Sequence, residues 1–169
     1  MTLSTSLLAF DLVLMTGLAA WLVVVATNNI VAFRGGTFSI GMLMSMSLFE
    51  QEPRIDSPLL SRRITRPAWH RLAYGILVSI EVCVALMLVN AALGFGSALL
   101  GRSEPIMQVR NANVALTGLL GMSFVMLVGG SWFAYYIRQE GTQITHLVLI
   151  ATCLGALLAL NLPVVLALV

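Results

Sequence analysis

Residues 71–95, RLAYGILVSIEVCVALMLVNAALGF, decide the fold of this chain. The stretch is long enough to cross a bilayer as an α-helix, because about 30 Å of hydrocarbon takes roughly 20 apolar residues. Further apolar stretches of spanning length lie at about residues 7–27, 113–137 and 144–169. The sequence therefore predicts an all-α membrane protein with four transmembrane helices.

The composition favours the same class of protein. The 169 residues are 59% apolar and 9% charged, with a net charge of +2, whereas soluble domains carry about 25% charged residues. All nine basic residues are arginines spread over the loops, which argues against a nucleic-acid-binding surface. Cys83 and Cys153 lie in apolar stretches, so we expect buried free thiols and no disulfide.

Short connections follow the second and third predicted helices, so we expect antiparallel neighbours in an up-down bundle forming one domain, residues 1–169. The first connection, 28–70, is long. Its segment from Thr37 to Phe49 is too short to span, and we expect it at the membrane interface or packed across the bundle.

Arginine counts predict the orientation. Seven arginines belong to one face: Arg34, Arg54, Arg62, Arg63, Arg66, Arg71 and Arg138. Only Arg102 and Arg110 belong to the other face. The excess of positive charge predicts that the long loop is cytoplasmic.

Small residues indicate where helices approach closely. Ala151, Gly155 and Ala159 recur every four residues, which is the spacing that brings membrane helices together. Gly129 and Gly130 lack bulky side chains and would allow a neighbouring helix to approach the third predicted helix in the same way. We expect these residues to lie in helix–helix contacts.

Glu81 is the most informative polar residue, because a charged side chain in the middle of a membrane helix costs on the order of 3 kcal/mol. One interpretation is a proton-relay or ligand-contact residue. The other is a protonated side chain that hydrogen-bonds to a neighbouring helix through Ser131 or Thr152, at similar depth. The sequence leaves both interpretations open.

Two further sets of residues are candidate ligands. His70 and His146 begin the second and fourth helices, where they could share a haem or a metal ion, or simply be solvated or hydrogen-bonded. Met42, Met44 and Met46 would face one way in an extended segment and could bind Cu(I), or they could be adaptable packing. We expect no cofactor held by this chain alone.

Several residues, in order, make the chain resemble the domain-of-unknown-function 2165 family of predicted small integral membrane proteins. Most specific are Gly129-Gly130 followed by Trp132-Phe133, and the acid Glu81; the others are Asn28-Asn29, Phe38 to Phe49, Arg62, Ile64-Thr65, Pro67, Tyr74 and Gln143. The resemblance implies a four-helix protein of the bacterial inner membrane. In the family the N-terminus is often basic, which favours the opposite orientation.

The sequence departs from the family pattern where Gly41, Met46 and Ser131 replace polar or acidic residues. No Walker loop, nucleophile elbow or metalloprotease motif occurs either. Our first hypothesis is therefore a non-catalytic accessory or structural subunit of a larger membrane complex, respiratory or otherwise redox-active, whose partners are lipid and other subunits. The alternative is a small carrier, or a quinone- or metal-handling protein, that uses Glu81. A chain acting alone as an enzyme comes third.

Overall fold

The structure is a computed structural model that describes residues 2–166. It contains five α-helices: α1 (Leu3–Val31), α2 (Phe33–Met44), α3 (Pro67–Leu99), α4 (Pro105–Trp132) and α5 (Glu140–Leu166). Three 3-10 turns lie between them, at Ser47–Glu50, Pro58–Arg62 and Tyr135–Ile137. Helices α1, α3, α4 and α5 are long and apolar enough to cross a membrane, so the predicted fold class is confirmed.

Each predicted span differs from its helix at the ends. The third was predicted at 113–137, but α4 runs from Pro105 to Trp132. It begins early because proline suits the first helical position, and it ends because Ala134 adopts a left-handed conformation with φ 54°. The second was predicted at 71–95 and the first at 7–27, and both helices extend into flanking polar residues. Residues 167–169 of the fourth lie outside the described part of the chain.

The segment after α1 forms a helix of its own. Helix α2 begins one residue after α1, with Ala32 at the break, and it packs along the first turns of α3. The ring of Phe33 lies 5.1 Å from that of Tyr74, and Gly36 meets Tyr74 so closely that a Cβ has no room. A Cβ on Gly41 would lie 2.9 Å from His70 Nδ1. These glycines bring α2 against α3, so of the two expected placements the structure shows packing against a neighbouring helix.

The long helices pack in chain order, α1 on α3, α3 on α4 and α4 on α5. Membrane helices associate through close packing and interhelical hydrogen bonds, because lipid is as apolar as the side chains. Small residues accordingly occupy the α3–α4 contact, where Ala91, Ala112 and Ala115 are fully buried. Large side chains fill the remaining space, among them Met15, Leu22, Leu88, Phe95, Leu116 and Leu119.

The predicted small-residue face of α5 makes no helix contact within the part of this chain that the structure describes. Ala151 and Gly155 are exposed and Ala159 is only partly buried, whereas α5 packs on α4 through Cys153, Ala156 and Leu160. Both faces carry small apolar residues, so spacing alone does not distinguish the inner face from the outer face.

Gly129 and Gly130 were predicted to lie in helix contacts, and Cys83 and Cys153 were predicted to be buried. In each pair one residue is buried and the other is exposed. Gly130 is buried, and a Cβ there would lie 2.5 Å from Cε2 of Tyr135, while Gly129 is exposed. Cys153 is a buried free thiol as expected, but Cys83 is exposed on the outer surface of α3. Each pair therefore has one member in the core and one outside it.

Candidate functional site

Glu81 lies in the middle of α3, about 21 Å along the helix from Pro67 at 1.5 Å per residue. Its side chain is only 4% exposed, and its Oε2 accepts a hydrogen bond from Asn29 Nδ2 at 2.7 Å. Asn29 belongs to the last turn of α1. The structural interpretation of Glu81 therefore named the wrong partners, since the bond goes to α1 and neither Ser131 nor Thr152 takes part.

Tyr74 completes a polar cluster with Glu81 and Asn29. Its hydroxyl donates to the backbone carbonyl of Asn29 at 3.3 Å, and its side chain is buried. The last four carbonyls of a helix lack partners within that helix, and an unpaired carbonyl is costly in hydrocarbon. Tyr74 and Glu81 thus stabilise the break between α1 and α2 by bonding the backbone and the side chain of the same residue.

The chemical capacity of the cluster is limited to one carboxyl group. Within residues 2–166, Glu81 Oε1 has no hydrogen-bond partner, so it can accept a bond from a ligand or exchange a proton. In the same part of the chain no three His, Cys, Asp or Glu side chains lie together as a candidate metal site. The arrangement suits a structural contact between α1 and α3 in which one carboxyl oxygen of Glu81 has no hydrogen-bond partner among the described residues.

The other two candidate polar residues lie away from this cluster. Thr152 is exposed on α5, and its hydroxyl donates to the Val148 carbonyl at 2.8 Å. Ser131 is partly buried near the end of α4. The structure therefore does not unite Glu81, Ser131 and Thr152 into one site.

Each histidine has its own protein partner. His70 Nε2 lies 2.8 Å from the Ile64 carbonyl, and His146 Nδ1 lies 3.3 Å from the Tyr135 hydroxyl, with the two rings stacked. A tyrosine hydroxyl is ordinarily protonated at neutral pH, and burial raises the pKa of Tyr135 further above its ordinary value. Hydrogen-bonded histidines agree with the simpler interpretation, and shared haem or metal ligation stays a prediction.

The methionines are not arranged as the copper hypothesis requires. Met42 and Met44 belong to α2, where residues two apart point in nearly opposite directions, and Met46 follows in a left-handed conformation. Met46 is buried with Phe49 and Ala134 in a small core beneath the 3-10 turns. The premise of an extended segment is wrong, and two of the three thioethers, those of Met44 and Met46, are buried in packing contacts.

Two polar pairs escaped the sequence prediction. The first is the Asn29–Glu81 bond, and the second joins α4 to α5, where Asn113 and Asn161 exchange amide hydrogen bonds of 2.7 and 2.8 Å. A polar side chain inside a membrane helix favours a polar partner on a neighbouring helix, so Asn161, inside the fourth predicted span, was a signal for the second bond. Asn29 gave no such signal, because it belonged to the predicted connection 28–70.

The fold and these paired groups define an integral membrane protein with several apolar, antiparallel helices. Residues 7–163 match the model of the family described as "Predicted small integral membrane protein (DUF2165)". The chain belongs to this family, as the resemblance predicted. No curated protein and no solved structure matches the chain significantly.

Proposed function

We propose that the protein is a non-catalytic accessory subunit that binds another membrane protein through the outer face of α5. One observation carries the proposal. A Cβ on Gly155 would meet nothing within 4 Å, and Ala151, one turn earlier, is also exposed. Small residues at this spacing allow backbones to approach closely, yet within the described residues nothing covers them.

The polar groups of the interior support the same role. Asn29 bonds Glu81, Asn113 bonds Asn161, and Tyr135 bonds His146. Groups engaged in this way hold helices together, and they leave few side chains for chemistry. We place the complex in the bacterial inner membrane, among respiratory or otherwise redox-active assemblies. The family resemblance supports the membrane, and the type of complex is our expectation.

The test is purification of a tagged chain from native membranes in mild detergent. We expect stoichiometric partner proteins with the wild type and about a tenfold loss with Gly155→Leu, because the larger side chain keeps the partner backbone away. Gly17→Leu is the matched control, since Gly17 is exposed on α1 and a Cβ there also meets nothing within 4 Å. A chain that purifies alone, or only with copies of itself, would contradict the proposal.

A second candidate function is a small carrier, or a quinone- or metal-handling protein. The free Oε1 of Glu81 favours it, because this carboxyl oxygen has no hydrogen-bond partner among the described residues and can bind a proton or a ligand. Glu81→Gln keeps an oxygen that can accept the Asn29 bond but removes the titratable group. If this candidate is right, the variant should fold normally and lose a flux or redox activity measured in proteoliposomes. If Glu81 only supports the subunit fold, the variant should keep that activity or change assembly alone.

A further inference from the structure

A cleft of about 840 Å³ lies between α2 and the start of α3, on the arginine-rich face of the protein. Its volume falls within the roughly 300–1,000 Å³ of small-molecule sites. Arg34 on α2 and Arg71 on α3 both line it, and none of its lining residues is acidic. The cleft is therefore cationic and stands beside two membrane helices.

The two cleft arginines are free of protein partners. Among the described residues neither Arg34 nor Arg71 makes a hydrogen bond or an ion pair. The ion pair in this part of the chain joins Arg63 to Glu50. Three other arginines of this face are occupied by protein groups, namely Arg62, Arg63 and Arg138. The guanidinium groups at the cleft thus remain available, and their planar forks match phosphate oxygens.

Thr37 lines the cleft from α2, but its Oγ1 has almost no accessible surface and makes no hydrogen bond within the described residues. A phosphate oxygen in the cleft could not reach this hydroxyl, so the two arginines supply the contacts to the phosphate. The start of α3 adds positive potential, because Pro67 lines the cleft and the helix has no side-chain N-cap.

We infer that this cleft binds the phosphate group of an anionic phospholipid. Phosphate chemistry follows from Arg34 and Arg71. The lipid source follows from the apolar wall, because Phe33 and Phe38 line the same cleft and Phe38 is 66% exposed. Basic pockets beside membrane helices bind phospholipid headgroups in this manner, with the acyl chains lying along the apolar helix surface.

Native mass spectrometry of the delipidated protein in detergent tests the inference. Titration with phosphatidylglycerol should give one tightly bound lipid, and diacylglycerol with the same chains should give none. Arg34→Gln and Arg71→Gln should each weaken phosphatidylglycerol binding about tenfold, through the loss of a charge-assisted contact. Arg54→Gln is the matched control, because it removes the same charge from the same face outside the cleft, and it should bind as the wild type does.

Arg34→Lys and Arg71→Lys give an independent readout if a glutamine variant folds poorly. Each keeps the positive charge but loses the planar guanidinium fork, so each should weaken phosphatidylglycerol binding, though less than the glutamine variant does. Equal losses with Arg54→Gln would overturn the inference, because attraction to the whole face would then explain binding. Displacement of the lipid by an equal concentration of glycerol phosphate would overturn the lipid source, since the cleft would then serve soluble phosphate compounds.

Discussion

Asn29→Leu should destabilise the protein by about 2 kcal/mol, because it leaves the buried Glu81 side chain without its hydrogen-bond donor. The bond is the polar link between α1 and the middle of α3. Without it, an intramembrane carboxyl group has no partner among the described residues. Denaturant-induced loss of helical circular dichroism in detergent measures the free energy of unfolding.

The double variant with Asn29→Leu and Glu81→Leu separates the contribution of the Asn29–Glu81 hydrogen bond from the effect of changing the two side chains. Removing both polar partners should recover most of the lost stability, because the cost lies in a buried group left unpaired. The coupling energy of this cycle should be about 1–2 kcal/mol. Additive effects of the two single changes would show that Glu81 and Asn29 do not interact, and the polar cluster would lose its structural role.

Gly36→Ala should also destabilise the protein strongly, by about 1–3 kcal/mol. The new Cβ would overlap the ring of Tyr74, which is held by its bond to Asn29 and by contact with Phe33. Helix α2 would have to move away from α3. Thermal unfolding in detergent, together with the accessibility of a cysteine label on α2, measures both effects.

The preceding glycine is the matched control. A Cβ on Gly35 would meet nothing within 4 Å, so Gly35→Ala should be neutral or stabilise the helix by up to about 1 kcal/mol through propensity. Opposite signs at Gly35 and Gly36 are thus the expected result. Equal effects of the two substitutions would mean that α2 does not lie against Tyr74.

Much of the fold could be predicted from the chain, and much less of the candidate site. The four spans followed from apolar runs such as residues 71–95, and Glu81 was correctly placed inside one of them. Its partner was not predicted, because Asn29 lies beyond the predicted end of the first span at residue 27 and the candidates considered were on other helices. The face of α5 that packs within the chain was not predicted either, since Gly155 and Ala156 are both small and only Ala156 is buried.

The sequence by itself determined that the chain spans a membrane, because the length of an apolar run is a local property that hydrocarbon thickness selects. It likewise determined that Glu81 lies inside a span, where a polar side chain favours a protein partner over lipid. Only the tertiary structure decided which residues are partners and that α2 lies on α3. Side chains facing lipid and side chains facing protein are equally apolar in a membrane helix, so composition does not record which faces meet.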